Sequence, residues 1–209
     1  MDRLGINRGM SPDYIIVGLG NPGPKYENTR SNIGFKVIDY LNNDSMMNFG
    51  CRKAKHSSLT DKCVLEDNVV LYLKPQMYIS NSGMAVEDAL DYYRMKSKQL
   101  VVIHDDLLLP SGCFEIVKGG DMSAHKGLSS IVEYLGKDDF IRIKVGVGLK
   151  PEECELSRYV LEIIPEDEYK KISSKFPSIR DAFTYMFYYG LEESIRIFNP
   201  LGMENSCDK

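Results

Sequence analysis

A glycine-rich turn follows the first long apolar run of the chain and has the spacing of a phosphate-binding loop. The run DYIIV (13–17) leads into GLGNPG (18–23), which matches G-x-G-x-x-G, and Asp39 follows its first glycine by 21 residues. A pyrophosphate site requires the backbone N–H groups of a helix that begins at the third glycine. Pro22 and Pro24 flank that glycine and remove two of these donors. The sequence therefore argues against a dinucleotide site.

A rigid turn that presents an amide is the second interpretation of the same segment. Asn21 stands just after the predicted strand, and ligand sites in open α/β sheets gather at the carboxyl ends of strands. Its side chain offers two donors and two acceptor lone pairs, which suits a carbonyl group or a water molecule. The structural alternative is a hydrogen bond of the Asn21 side chain within its own turn. On this segment alone, the structural alternative is favoured.

A serine lies in TRSNIGF (29–35), where a hydroxyl could act as a nucleophile. Such a nucleophile needs a base within hydrogen-bond reach, and a hydroxyl cannot itself be a general base near pH 7. The apolar spacing that follows predicts a helix over 31–43, with Ser31 or Asn32 as its N-cap. An N-cap is worth about 1 kcal/mol. We favour the cap over the nucleophile.

Only three histidines in the sequence could supply a base. His56 lies in a polar stretch and is expected to be exposed. His104 is expected to end a buried strand. His125 stands at the start of a predicted helix and is the one candidate, which would have to swing in from a loop.

Strand and helix patterns alternate along the chain, which predicts a layered α/β domain with a mixed sheet. The predicted strands are 14–17, a hairpin over 62–75, 99–112, 113–120 and 140–149, and the predicted helices are 31–43, 82–95, 124–136 and most of 165–199. Ser82 is expected to cap the second helix, Gly136 to end the third and Pro177 to break the last. We expect an N-terminal extension over 1–12, one domain over 13–199 and a flexible tail over 200–209.

Composition restricts the class of protein. The 209 residues suit one domain, and a net charge of −4 means that any nucleic-acid role must depend on a local basic patch. The five cysteines are odd in number and contain no C-x-x-C pair, which indicates free thiols in a reducing cytoplasm, with an organelle left open. No apolar run has the length of a membrane span, so we expect no membrane partner.

Four segments, in this order, resemble the bacterial-type peptidyl-tRNA hydrolase family. They are IIVGLGNPGPKYENTRSNIGFKVIDYL, YLKPQMYISNSGMAV, VVIHDDLLLPSG and GGDMSAHKGLSSIVEYLG. The resemblance implies one α/β domain with a mixed, twisted sheet surrounded by helices. It also implies hydrolysis of the ester between a peptide and the terminal ribose of tRNA, with no metal or other cofactor. The expected partner is tRNA or peptidyl-tRNA, and the expected state is a monomer.

The resemblance also assigns roles to particular residues. Asn21 stands at the first asparagine of the family's site, and Asp105 stands at the carboxylate that orients the catalytic histidine. Tyr26 and Tyr78 stand at aromatic positions next to the substrate, and His125 stands at the histidine of the lid loop.

Three positions depart from the family pattern. Ser31 stands where the family has its catalytic histidine, and Ser80 and Lys126 replace two site asparagines. The chain therefore lacks the expected base and two amides, each of which is worth roughly 3 kcal/mol in a transition state. Lys126 could stabilise an anion as a mobile point charge, or it could be a solvated lysine at a helix start.

A basic patch for tRNA is the remaining implication of the resemblance. Lys118, Lys126, Arg142 and Lys144 could form it, with Arg142 and Lys144 on one face of a strand. Four cations give only modest, salt-sensitive affinity. Glu115 stands on a strand where the family alternates basic residues. The alternative is that these four residues are ordinary surface charges that keep the protein in solution, and the two interpretations are nearly balanced.

Three hypotheses for function follow. The first is a working hydrolase in which His125 or Asp105 activates water. The second is a descendant without catalysis that still binds tRNA or another RNA, and the third is a protein-interaction module. Because the expected catalytic histidine is missing, we rank impaired or absent hydrolysis above full activity.

Overall fold

A seven-stranded mixed sheet forms the middle layer of the computed structural model, which describes residues 11–44, 53–65, 67–122 and 124–203. The strands are β1 (Tyr14–Gly18), β2 (Lys53–Lys55), β3 (Ser58–Leu65), β4 (Asn68–Pro75), β5 (Leu100–Asp106), β6 (Phe114–Lys118) and β7 (Ile141–Gly146). Their order is β2-β3-β4-β1-β5-β7-β6. The neighbours β4, β1, β5 and β7 run parallel, and β2, β3 and β6 pair antiparallel at the two edges. The predicted mixed α/β sheet is confirmed.

Helices cover both faces of this sheet. They are α1 (Ile33–Asp44), α2 (Ser82–Tyr93), α3 (Lys126–Leu135), α4 (Leu156–Tyr159), α5 (Glu166–Ser173), α6 (Phe176–Tyr189) and α7 (Leu191–Met203). One core cluster joins a sheet face to α1, α5, α6 and α7, and a second joins the opposite face to α2 and α3. Two apolar layers therefore enclose the sheet. In the described ranges, no helix has both the length and the apolar character needed to cross a membrane.

Two of the four predicted helix boundaries differ from expectation. Helix α1 begins at Ile33, after a 3₁₀ turn over Arg30–Asn32, because the preceding segment makes other hydrogen bonds. Ser82 is the first residue of α2 rather than its cap, and the N-cap Asn81 makes no side-chain cap hydrogen bond. Gly136 ends α3 in the left-handed conformation, with φ 61°, so that prediction is confirmed.

The C-terminal helices follow the predicted break. Helix α5 ends at Ser173, and α6 begins at Phe176 with Pro177 in its first turn, where a missing N–H group costs no helical hydrogen bond. Helix α7 continues to Met203, inside the stretch 200–209 that was predicted as a flexible tail. Residues 1–10 and 204–209 lie outside the described residues.

His56 differs from its predicted environment. It lies in the tight turn between β2 and β3, a hairpin that the sequence did not indicate. The prediction of an exposed His56 is wrong, because the side chain is buried against Tyr92 and Tyr93. Its Nδ1 lies 2.8 Å from a carboxylate oxygen of Asp88.

The start of helix α1 lies in direct contact with the ends of two strands. A Cβ atom at Gly34 would lie 2.5 Å from the carbonyl oxygen of Ile103 and from the backbone nitrogen of Leu19. A Cβ atom at Gly18 would overlap the carbonyl oxygen of Gly34. Only glycine permits this approach, and it places the 3₁₀ turn ahead of α1 at the carboxyl ends of β1 and β5.

We predict that Gly34→Ala destabilises the protein by about 2 kcal/mol or more, because the added methyl group must push α1 away from the strands. Alanine is intrinsically the better helix former by about 1 kcal/mol, so any loss reflects the close approach. Urea unfolding measures the change. The control is Asn43→Ala on the exposed side of α1, which should change stability by less than about 0.5 kcal/mol. Equal stability of Gly34→Ala and the parent chain would contradict this account.

Candidate active site

The segment that carries Ser31 is hydrogen-bonded to the chain that follows β7. The backbone nitrogen of Arg30 donates to the carbonyl oxygen of Glu162 at 3.1 Å, and that of Ser31 donates to Val160 at 2.9 Å. These two bonds hold the segment against the chain that follows β7. The position of residue 31 is therefore determined by two parts of the chain that are distant in sequence.

Arg30 is a buried anchor that the sequence analysis missed. Its guanidinium donates to the carbonyl oxygen of Val147 and to a carboxylate oxygen of Glu168, the latter at 2.8 Å. It also lies 4.4 Å from the centre of the Tyr159 ring. A charged residue next to Ser31 was visible in the sequence, but its partners are over a hundred residues away along the chain. Burial of a paired arginine here rigidifies the segment.

Asn21 and Asn32 hold each other in place. The backbone nitrogen of Asn21 donates to the Asn32 side-chain oxygen at 2.8 Å, and the Asn32 amide donates to the Asn21 carbonyl at 2.9 Å. The Asn21 side-chain oxygen accepts from the backbone nitrogen of Ile79 at 3.0 Å. The favoured alternative, a bond of the Asn21 side chain within its own turn, is therefore wrong. Within the described residues no acceptor pairs with the Asn21 Nδ2, which leaves an amide donor at the strand ends.

A carboxylate and an imidazole meet at the end of β5. The Nε2 atom of His125 lies 3.1 Å from Oδ1 of Asp105, which is 5% exposed. The Nδ1 atom of His125 accepts hydrogen bonds from the backbone nitrogens of Gly127 at 3.2 Å and Leu128 at 3.3 Å. An acceptor nitrogen carries a lone pair, so the proton of the neutral ring is on Nε2 and points to Asp105.

His125 therefore has both ring nitrogens engaged. It is the N-cap of α3 as well as the partner of Asp105, a double role that joins the helix start to the strand end. The sequence placed it in a loop from which it would have to swing in. In the structure, His125 is already hydrogen-bonded to the Asp105 carboxylate. The lone pair that a general base needs is on Nδ1, and it points to the first backbone N–H groups of α3.

Ser31 is buried inside the 3₁₀ turn, and its hydroxyl oxygen lies 3.2 Å from that of Thr29. The favoured interpretation of Ser31 as the N-cap of the following helix is therefore wrong. A nucleophilic role would need a base, and His125, the histidine considered for it, has both nitrogens engaged. Ser31 fills the position without supplying a group that titrates near neutral pH.

The positions that the resemblance assigns to the substrate carry aromatic and polar side chains. The Nζ atom of Lys25 lies 4.6 Å from the centre of the Tyr26 ring, and hydrogen bonding to Tyr26, together with the nearby Tyr78, raises the pKa of Lys25. Tyr78 is 65% exposed, which leaves its ring available for contact. Ser80 and Lys126, at the two replaced asparagine positions, are both exposed. Lys25 therefore lies near both tyrosines, and contact of the two rings with a substrate stays a prediction.

The predicted basic patch is largely neutralised within the protein. Arg142 and Lys144 do share a strand face, but Arg142 is buried, and burial lowers its pKa. The Nζ atom of Lys144 lies 2.8 Å from Glu115 and 3.4 Å from Asp106. Partial burial opposes the charge of Lys144, but hydrogen bonds to these carboxylates raise its pKa overall. Lys118 is exposed but points to the opposite face by register.

His104 lies directly behind the carboxylate–imidazole pair. It is buried in β5 as predicted, but the strand continues to Asp106, two residues further than expected. Its Nδ1 lies 2.7 Å from the carbonyl oxygen of Asp105. Its ring centre is 5.0 Å from that of His125, with the two planes at 70°. Burial, reinforced by the neighbouring His125, lowers the pKa of His104 to about 3. The contact with the site was not apparent from the sequence.

The fold and the site together define an α/β domain that carries an amide, a carboxylate and an imidazole at the carboxyl ends of its parallel strands. A model of the family described as peptidyl-tRNA hydrolase matches residues 15–206. The chain belongs to the peptidyl-tRNA hydrolase family.

Individual relatives agree with this assignment. The chain is 36% identical over 186 residues to a peptidyl-tRNA hydrolase of Lachnoclostridium phytofermentans, a match that covers 89% of this chain and 96% of the relative. It is 35% identical over 190 residues to one of Clostridium perfringens, covering 91% and 99%. Among solved structures, peptidyl-tRNA hydrolase from Acinetobacter baumannii superposes with a TM-score of 0.82 at 25% identity, covering 92% of this chain and 97% of that one.

We predict that His104 makes the protein sensitive to mild acid. The unfolded residue binds a proton near pH 6.5 and the folded one only near pH 3, so acidification between these values favours unfolding. Its stabilising contribution is complete above pH 6.5, and about 3 kcal/mol of it should be lost by pH 4.5. Urea unfolding of the parent chain and of His104→Phe at both pH values measures the difference. Identical pH dependence of the two proteins would refute the assignment.

Proposed function

We propose that this chain hydrolyses the ester of peptidyl-tRNA, and that it does so slowly because no imidazole is free to accept the proton of water. Membership of the family supports the substrate. The amide of Asn21 after β1 and the pair of Asp105 and His125 at the end of the neighbouring parallel strand β5 support the reaction. We also propose that it works in the cytoplasm as a monomer, as the resemblance and the cysteine pattern imply.

In the proposed reaction the substrate carbonyl accepts a hydrogen bond from Nδ2 of Asn21. The Asp105 carboxylate takes a proton from a water molecule, and the hydroxide attacks the carbonyl carbon to form a tetrahedral oxyanion, which the same amide stabilises. The intermediate collapses when the bond to the ribose oxygen breaks, and that oxygen receives the proton from Asp105. The products are the peptide acid and tRNA. His125 keeps its Nε2 proton throughout and orients the carboxylate.

The observation that carries the proposal is the double engagement of His125. Its Nε2 donates to Asp105 and its Nδ1 caps α3, so the carboxylate is left as the group that can receive a proton. A carboxylate is a weak base at neutral pH, and a well-matched general base contributes about 10²- to 10⁴-fold to a rate. Turnover should therefore be slower than with a histidine base by a large part of that factor.

We predict that Ser31→His raises the rate of hydrolysis at least about tenfold, because it returns a titratable imidazole to the position beside β5. The measurement is single-turnover release of tRNA from N-acetyl-aminoacyl-tRNA with enzyme in excess.

Three variants serve as controls for this experiment. Ser31→Gln adds a side chain of similar bulk that cannot titrate, and Asn43→His adds a histidine on the exposed side of α1; neither should raise the rate. Asp105→Ala, purified in the same way, reports any contaminating hydrolase. Fast hydrolysis by the parent chain, unchanged in Ser31→His, would contradict the proposal. If the parent chain and Ser31→His both bind tRNA and neither hydrolyses the ester, a tRNA-binding protein is favoured instead.

We predict that Glu115→Lys strengthens tRNA binding about three- to tenfold at low salt, because it removes one of the two carboxylates that pair with Lys144 and adds a cation on the same sheet face. The slope of log Kd against log salt should steepen by about 1 to 2. Filter binding of deacylated tRNA over a salt series measures both. Glu192→Lys makes the same charge change on the exposed side of α7, and an equal effect of that variant would show that only net charge matters.

A further inference from the structure

Behind the proposed base and its partner lies a buried histidine that the reaction does not use. His104 is buried on β5, on the sheet face that packs against α2 and α3, and it contacts both members of the pair. One contact is a hydrogen bond to the backbone of Asp105, and the other is an edge-to-face contact with the ring of His125.

The first contact satisfies a carbonyl group that the sheet leaves without a neighbour. The carbonyl of Ile103 accepts from the backbone nitrogen of Leu19 at 2.9 Å, which is the last bond between β5 and the chain of β1. Carbonyl groups two residues apart in a strand point the same way, so that of Asp105 projects past the end of β1. The Nδ1–H group of His104 donates to this carbonyl at 2.7 Å and so fixes the backbone that carries the carboxylate.

The second contact restricts the ring of His125. The two imidazoles have centres 5.0 Å apart and planes at 70°, an edge-to-face arrangement. A rotation of the His125 ring about its Cβ–Cγ bond would exchange the positions of its nitrogens and carbons. The packed ring of His104 opposes that rotation, which keeps Nε2 toward Asp105 and Nδ1 toward the start of α3.

The arrangement leaves one atom of His104 without a hydrogen bond. Among the described residues, no group pairs with its buried Nε2, and an unpaired buried polar atom destabilises a fold. A phenylalanine would fill the same space without that cost. The Nδ1 donor is therefore the feature that distinguishes histidine at this position. Its lowered pKa keeps the ring neutral at physiological pH, so it adds no positive charge beside His125.

We propose that His104 is a positioning residue, which fixes the orientation and the tautomer of His125 by holding the Asp105 backbone and by packing against the imidazole ring. The proposal concerns the site assigned above, but the free protein should show it whether or not that site hydrolyses peptidyl-tRNA.

Two variants separate the contacts. His104→Phe keeps an aromatic ring against His125 and removes the donor, and His104→Asn keeps a donor near Nδ1 and removes the ring. Long-range ¹H–¹⁵N NMR at pH 8 reports which nitrogen of each neutral histidine carries the proton. His56, which pairs with Asp88 in another part of the molecule, is the internal reference and should not change.

In the parent chain we expect His125 as the Nε2–H tautomer. In each variant the ratio of Nε2–H to Nδ1–H at His125 should fall about fivefold, the effect of losing one ordinary hydrogen bond. A fall in either folded variant supports the proposal and identifies the contact that acts. An unchanged ratio in both, or a parent chain with the proton on Nδ1, overturns it. Because no step needs turnover, a failure of hydrolysis would refute the proposed function and leave this result intact.

Discussion

The contact between the start of helix α1 and the ends of β1 and β5 is the constraint on which the site depends. Gly18 and Gly34 allow the helix backbone to touch the strand backbone, and no larger residue fits at either position. The turn that carries Ser31 and Asn32 consequently packs against β5, which carries Asp105 next to its last residue. Hydrogen bonds to the chain after β7 also hold this turn. Backbone packing therefore sets the position of the site, and the side chains of Arg30 and Asn32 hold it there.

The chemistry of the site depends on which hydrogen-bond donors and acceptors already have partners within the protein. A neutral imidazole has one donor and one acceptor, and in His125 the first goes to Asp105 and the second to α3. The serine at position 31 offers a hydroxyl already paired with Thr29. We therefore propose that a carboxylate acts as the base in this chain, and a carboxylate is a weak base at neutral pH, which is why the proposed hydrolysis is slow.

Charge pairing within the sheet has a parallel effect on RNA recognition. Lys144 lies between two carboxylates, and Arg142 is buried with its guanidinium directed at a backbone carbonyl. A cation that is already neutralised releases fewer counterions when it meets a phosphate, so these residues contribute less affinity than their number implies. Both the reacting groups and the candidate tRNA contacts are thus weakened by partners within the chain.

The α/β class and the alternation of strands and helices follow from the sequence, because apolar periodicity and the glycine and proline positions are local properties. The family follows from the resemblance of four ordered sequence segments. Through the same resemblance, the sequence also predicted site roles for Asn21, Asp105 and His125. Tertiary contacts that the sequence did not predict give the rest. The side-chain oxygen of Asn21 accepts a hydrogen bond from Ile79, both ring nitrogens of His125 are hydrogen-bonded, and the buried Arg30 pairs with Glu168. The reason is physical: a side chain's partners are set by groups that folding brings together from distant parts of the chain, and no local pattern records which lone pair remains free.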